Sequence, residues 1–133
     1  MSTARRSIEV EGLHHGGVPI PMASRVGPLL VSSSILGQDP ATGELPDDVA
    51  AQVALVFANV RRVLEAGGAT TDHVAKLTFH VRDRSARAAI DEHWLAMFPD
   101  PAARPARHTV PGDLPPAFHV QCEVIAYVTE ETP

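Results

Sequence analysis

Pro105-Ala106-Arg107-His108-Thr109-Val110, the turn Pro111 to Pro116, and the run Ala117-Phe118-His119-Val120-Gln121-Cys122-Glu123-Val124-Ile125-Ala126-Tyr127-Val128 decide the reading of this chain. Two β-rich segments joined by a Pro/Gly/Asp turn predict an antiparallel hairpin. On its second strand, period-2 alternation places Phe118, Val120, Cys122, Val124 and Ala126 on one face. His119, Gln121, Glu123, Ile125 and Tyr127 fall on the other. A carboxylate in mid-strand among apolar residues is costly unless something pairs with it, and the nearest cation in the hairpin is Arg107. With Arg107 opposite His119 or Gln121, the two groups share a face on the order of 7 to 14 Å apart, at ~3.4 Å per residue. A small carboxylic acid and one water fit that gap. A register shifted by one residue sends Arg107 to the other face, and a neighbouring subunit would then have to complete the site.

The chain has 133 residues, which predicts one domain over 1–133 with a single core. Cys122 is the only cysteine, so no intrachain disulfide can form, and its place in a strand predicts a buried thiol in a reducing compartment. Arg5 and Arg6 are followed by no apolar run, and nothing approaches a membrane span; the expectation is a soluble, cytoplasmic protein without a membrane partner. A net charge of −5, with four Phe, one Trp and one Tyr, argues against a nucleic-acid partner, which would need a basic face and stacking aromatics. Arg61-Arg62 and the group Arg82, Arg84 and Arg87 read as solvated faces.

Around the deciding stretch, residues 4–11 predict a short first strand, and glycines and prolines from Leu13 to Met22 predict a loop, so that 1–20 is an N-terminal strand and loop. Its adjacent His14 and His15 lack acidic or thiol partners nearby, and no metal site is expected. Residues 24–36 predict two β segments around Gly27-Pro28, the second running from Leu29 to Leu36. Ser32, Ser33 and Ser34 within it either line a polar pocket or bond the adjacent backbone. Asp47 is the expected N-cap of an amphipathic helix over 48–66 with Val49, Val53, Val56, Phe57, Val60, Val63 and Leu64 on one face, stopped by Gly67-Gly68. His73 to Arg82 alternates as a strand. Asp83 or Ser85 caps a second helix that buries Ala86, Ile90, His93, Trp94 and Met97 and ends at Pro99. The order β-ββ-α-β-α-ββ predicts an α+β domain: a six-stranded mixed sheet with two helices on one face. The other face carries Lys76, Thr78, His80, His119, Gln121 and Glu123, and suits a wet subunit interface.

From Pro21 almost to the C-terminus the chain resembles the Rid (RidA/YjgF) family. The resemblance lies in Asp39-Pro40-Ala41-Thr42-Gly43-Glu44, Asp48-Val49-Ala50-Ala51-Gln52, Asn59-Val60, Leu64-Glu65-Ala66-Gly67-Gly68, and Val74 to Asp83. Pro105-Ala106-Arg107 and Val120 to Ala126 complete it. It implies a chorismate-mutase-like fold of the bacillus type, assembled as a homotrimer with three clefts between subunits. Archetypal members hydrolyse 2-imino acids or their enamine tautomers to 2-oxo acids and ammonia, without a cofactor. It further implies that Arg107 binds the substrate carboxylate, Glu123 holds the attacking water, and Ser33 lines the cleft. Met22, standing where the family commonly has tyrosine, Asp91, aligned with an asparagine, and Thr109 join the substrate-binding set. The family's Ser-Gly-Gln is here Ser33-Ser34-Ile35. Met22 and Ile35 imply a greasier cleft and a bulkier substrate, whereas Asp91 adds a negative charge that would disfavour a second carboxylate.

The chemistry suits the residues: a guanidinium fork grips a carboxylate, and an ionised glutamate orients a water and takes its proton. Read without the resemblance, Arg107 and Glu123 are as readily a structural ion pair across a subunit interface. A trimeric carboxylate-binding module without turnover is the second functional reading. RNA cleavage is the third, opposed by the acidic balance.

Overall fold

The computed structural model describes residues 6–129. In chain order it forms β1 (Ser7–Ile8), β2 (Ala23–Val26), β3 (Leu29–Ser32), β4 (Ile35–Leu36), α1 (Val49–Ala66), β5 (Val74–Val81), α2 (Arg87–Met97), β6 (Ala106–Pro111) and β7 (Val120–Tyr127). The single mixed sheet runs β1-β2-β3-β7-β5-β6, with β4 also paired to β7. The expected first strand reduces to Ser7–Ile8, and part of its predicted span, residues 4 and 5, lies outside the described residues. Both helices cover one face, as the periodicity predicts, and the chain is an α+β domain.

Helix α1 carries many β-branched residues, poor helix formers, so its stability rests on packing. Val53, Val56, Phe57, Val60, Val63 and Leu64 are buried, each contributing roughly 1.5–3 kcal/mol. Asp48, one residue after the expected Asp47, caps its N-terminus by accepting from Ala51 N at 3.0 Å. At the other end Gly68 N–H bonds Glu65 O (3.0 Å) and Ala69 N–H bonds Leu64 O (2.8 Å). This arrangement requires the left-handed backbone that Gly68 adopts at φ +77°. In α2, Ile90, Trp94 and Met97 are buried, and His93 stacks on Phe57 with centroids 5.4 Å apart. Asp83 caps the short 3-10 turn leading into α2 rather than α2 itself.

The predicted hairpin between β6 and β7 is not formed. β6 pairs in parallel with β5, and β7 pairs antiparallel with the opposite edge of β5, so β5 lies between them. A parallel pair needs a crossover, and α2 is that crossover. The chain then returns across the end of β5, and β7 enters the centre of the sheet between β3/β4 and β5. Pro105 and Pro111 flank a strand that suits an edge, while Val120–Tyr127 contains neither proline nor glycine and suits the centre.

The return loop is held by two side chains. Arg82 Nη2 donates to Pro115 O (2.5 Å) and Phe118 O (2.8 Å), so Arg82 is a structural clamp rather than part of a solvated face. Gln52, fully buried, donates to Pro46 O (2.7 Å) and Ala117 O (2.9 Å) and accepts His119 N–H (2.9 Å). These bonds satisfy the buried amide and set where β7 begins.

The segment predicted as one strand from Leu29 to Leu36 is broken at Ser33-Ser34, giving seven strands instead of six. Val31 pairs with Ile125 and Ile35 with Cys122, so three residues of one strand face two of the other. Ser32 Oγ accepts the Val124 N–H left over by this bulge, at 2.9 Å. Ser33 Oγ donates to Pro21 O at 2.8 Å, and His15 Nε2 meets Ser34 O at 2.7 Å. The hydroxyls of Ser32 and Ser33 thus bond the adjacent backbone, one of the two roles considered for these serines. A second irregularity lies at Val74–Lys76 of β5, where Val74 is buried and Ala75 is exposed.

Candidate functional site

Register decides what each side chain faces. Leu77 pairs with Arg107 on one side and with Val124 on the other, so Arg107 points to the helix-covered face. Thr78 pairs with His108 and Glu123, which puts Glu123 on the open face. Within one copy of the chain, the guanidinium and the carboxylate therefore lie on opposite faces of the sheet. Arg107 does not stand opposite His119 or Gln121 on Glu123's face, because β5 intervenes and imposes its own register; it lies on the other face, the alternative in which a neighbouring subunit would have to complete the site.

Arg107 occupies a slot between edge strand β6 and α2. Its side chain is 18% exposed, and Nη2 donates to Asp91 Oδ1 at 2.6 Å. Its Cζ lies 5.3 Å from the Trp94 ring centroid and 5.9 Å from that of Phe79, close enough for both rings to attract the cation. Nε donates to Thr109 Oγ1 over a long 3.4 Å. Asp91, 58% exposed, and the two rings orient the fork without using all five of its N–H groups. Arg107, Asp91 and Thr109 are thus brought together in one cluster.

Glu123 lies apart from this cluster, on the open face. Its side chain is 47% exposed, and its Oε2 lies 3.7 Å from Nε2 of His80, a residue two places along β5 from Thr78. The β3/β4 break with Ser33 lies across from this part of β7. Alternation puts His80 on the same face as Glu123, but its proximity to Glu123 follows from β5 and β7 being neighbours, which alternation alone does not specify. The rings of Phe79 and Trp94 around Arg107 were likewise missed as parts of the site; a signal exists in the pairing of an edge-strand arginine with aromatics on β5 and α2.

Met22 requires a correction. Its side chain is 2% exposed and belongs to the core, so it offers almost no surface to a ligand. Its carbonyl accepts from Ser33 N at 2.9 Å, which keeps the N-terminal loop against the β3/β4 break. Cys122 is buried, and desolvation pushes its thiol pKa well up, with the Glu123 charge adding to the effect. A thiol so placed is inert, as expected for a core residue. Among the described residues no group of three or more His, Cys, Asp or Glu could hold a metal ion, and no helix is long and apolar enough to cross a membrane.

Residues 21–128 match the family described as Endoribonuclease L-PSP. The chain belongs to this family, that of the Rid proteins. A curated relative from Escherichia coli (strain K12), named 2-iminobutanoate/2-iminopropanoate deaminase, is 33% identical over 103 residues, covering 76% of this Rid protein and 80% of the relative. RidA from the Antarctic bacterium Psychrobacter sp. superposes with a TM-score of 0.83 at 31% identity, over 93% of this chain and 100% of that one. Escherichia coli TdcF, solved with bound serine, gives a TM-score of 0.84 at 27% identity, over 94% and 100%. The relation of this Rid protein to named imine deaminases supports enzymatic activity of the family type.

Proposed function

We propose that this Rid protein is a hydrolytic deaminase of 2-imino acids and their enamine tautomers, working as a homotrimer whose clefts join two copies of the chain. The observation that carries the reading is the division of the machinery between two faces. One copy presents a fixed guanidinium at a sheet edge, and another must present the half-exposed Glu123 of its open face. The open face supplies a reason for association. Val26, Leu29, Val31, Ile125 and Tyr127 are exposed there, at 55, 42, 39, 40 and 55%, in adjacent registers of β2, β3 and β7. Covering such a patch is favourable.

In the joined cleft, Arg107 grips the substrate carboxylate through charge-assisted hydrogen bonds and fixes C2 beside the groups that act on it. Ser33 lines the cleft on the Glu123 side. Ionised Glu123 orients a water and takes one of its protons as the C2–O bond forms. Starting from the protonated imine, that proton passes to the amino nitrogen of the carbinolamine as the C2–N bond breaks. Glu123 takes the remaining hydroxyl proton as C2=O forms and hands it to the departing ammonia, leaving a 2-oxo acid and ammonium. A reactive imine needs little more than positioning and one acid–base group. Relatives named 2-iminobutanoate/2-iminopropanoate deaminase support this reading, as does a serine, itself a small amino acid, bound in the TdcF structure.

The test is release of ammonia or 2-oxo acid from imines generated in situ by an amino-acid oxidase. Turnover that disappears in both Arg107→Ala and Glu123→Ala is the expected result. Carboxylate binding without turnover in the wild type would instead establish a binding module. Ile35, fully buried opposite Cys122 on the helix-covered side, offers no surface to a cleft, so the greasier cleft expected from Met22 and Ile35 does not support that second reading.

A further inference from the structure

On the far side of Thr109 from Arg107 lies a cavity of about 120 Å³, lined by Val81, Arg84, Arg87, Thr109 and Pro111. Thr109 belongs to both spaces, since its hydroxyl accepts from Arg107 Nε and its side chain lines the cavity. Arg87 stands four residues before Asp91 on α2, so the two share a helix face about 6 Å apart along the axis. Thr109 therefore stands between Arg107 with Asp91 and the cavity lined by Arg84 and Arg87.

Charge is distributed unevenly along it. Asp91 is engaged by Arg107 at 2.6 Å, so its carboxylate faces the proximal end. Asp83 turns its carboxylate to Ser85 N–H at 2.8 Å. Arg84 and Arg87 take part in no ion pair among the described residues. In a chain of net charge −5, two such guanidinium groups lining one cavity form a local attraction for an anion.

We propose that this cavity is the distal subsite of the same cleft and takes the second anionic group of the substrate. The preferred substrate class is then a 2-imino dicarboxylic acid of four or five carbons: its α-carboxylate lies on Arg107 and its distal carboxylate on Arg84 and Arg87. A chain of that length spans roughly one helical turn, ~5 Å. The assignment rests on the deaminase reading of Arg107. It reverses the expectation that Asp91 disfavours a second carboxylate, because Asp91 is already held by Arg107.

The full chain is assayed with imines generated in situ from glutamate and from norvaline, which have the same carbon number, and kcat/KM is compared between wild type and Arg84→Gln/Arg87→Gln. Expected is a preference for the glutamate-derived imine of about five- to tenfold, modest because the arginines are exposed, and its collapse toward unity in the double variant. Turnover of both imines without preference, or a preference that survives the double substitution, overturns the subsite. Binding of glutarate and of butyrate, titrated calorimetrically, separates this failure from that of the deaminase reading. With no imine turned over, the deaminase reading falls. Tighter glutarate binding that depends on Arg84 and Arg87 then still upholds the subsite, and equal binding of the two acids removes it.

Discussion

The two faces of the sheet are made by the same strands and have opposite fates. Cys122 and Glu123 are neighbours in sequence, yet one is fully buried under the helices and the other is 47% exposed. Among the described residues the two fully buried polar side chains of the helix-covered face both have partners: Gln52 holds the return loop, and Asn59 donates to Leu36 O and Gln38 O, both at 2.8 Å, and accepts from Arg62. The open face combines exposed apolar side chains with Glu123 and His80. The core on one side of the sheet is closed within a single chain; the other side keeps apolar and charged groups exposed, and under the proposed function a second copy covers it.

The strongest challenge to this contrast is complementation. Arg107→Ala and Glu123→Gln each should lower imine hydrolysis by about 10²–10⁴-fold. Mixing the two inactive variants under conditions of subunit exchange should restore a fraction of activity, since some clefts then combine an intact Arg107 with an intact Glu123. If the mixture stays inactive while exchange is verified, the two half-sites do not meet across copies.

Ile125→Asp probes the open face itself. A charge inserted into a covered apolar patch costs several kcal/mol, so the assembly should dissociate in sedimentation velocity while the circular dichroism spectrum persists. An unchanged sedimentation coefficient would show the patch to be uncovered. On the other face, Gln52→Leu should lower unfolding stability by roughly 2–4 kcal/mol, since the His119 N–H and the Pro46 and Ala117 carbonyls lose their partner. Denaturant unfolding measures it, and a loss well below that would mean the return loop is fixed by Arg82 alone.

The smallest effect concerns Cys122. Burial raises its thiol pKa, so the native protein should resist alkylation by iodoacetamide at neutral pH and react only in denaturant. The sign follows from linkage: an acid whose folded pKa is raised stabilises the fold below its unfolded value, and this contribution is lost as pH rises through the folded one. A mild loss of stability should therefore appear at alkaline pH and vanish in Cys122→Ala. Rapid native labelling would contradict the closed helix face.

Much of this architecture was legible from residue order. The alternation of Val120–Tyr127 matches the observed burial, and both helices begin and end within a few residues of their predicted limits. Arg107 and Glu123 stood out as charges in strands. The strand order was less legible, because a proline-rich turn favours a hairpin locally, whereas the parallel pairing of β5 with β6 is enforced by α2 from elsewhere in the chain. Met22 was misread for a similar reason: a loop methionine has no periodicity to reveal that it is folded into the core.

Local periodicity by itself determined which residues can share a face, since helix and strand geometry act within a few residues. It thereby determined the α+β class, the apolar face of each element and the two charged groups around which a site can form. Only the tertiary structure decided that β5 separates β6 from β7, that Arg107 is held by Asp91 and Trp94, and that Glu123 lies beside His80 on the far face. The reason is physical. Side-chain direction follows from backbone geometry over two or three residues, but which strands become neighbours depends on how distant apolar faces are buried together, and a single intervening strand sends two charges to opposite sides.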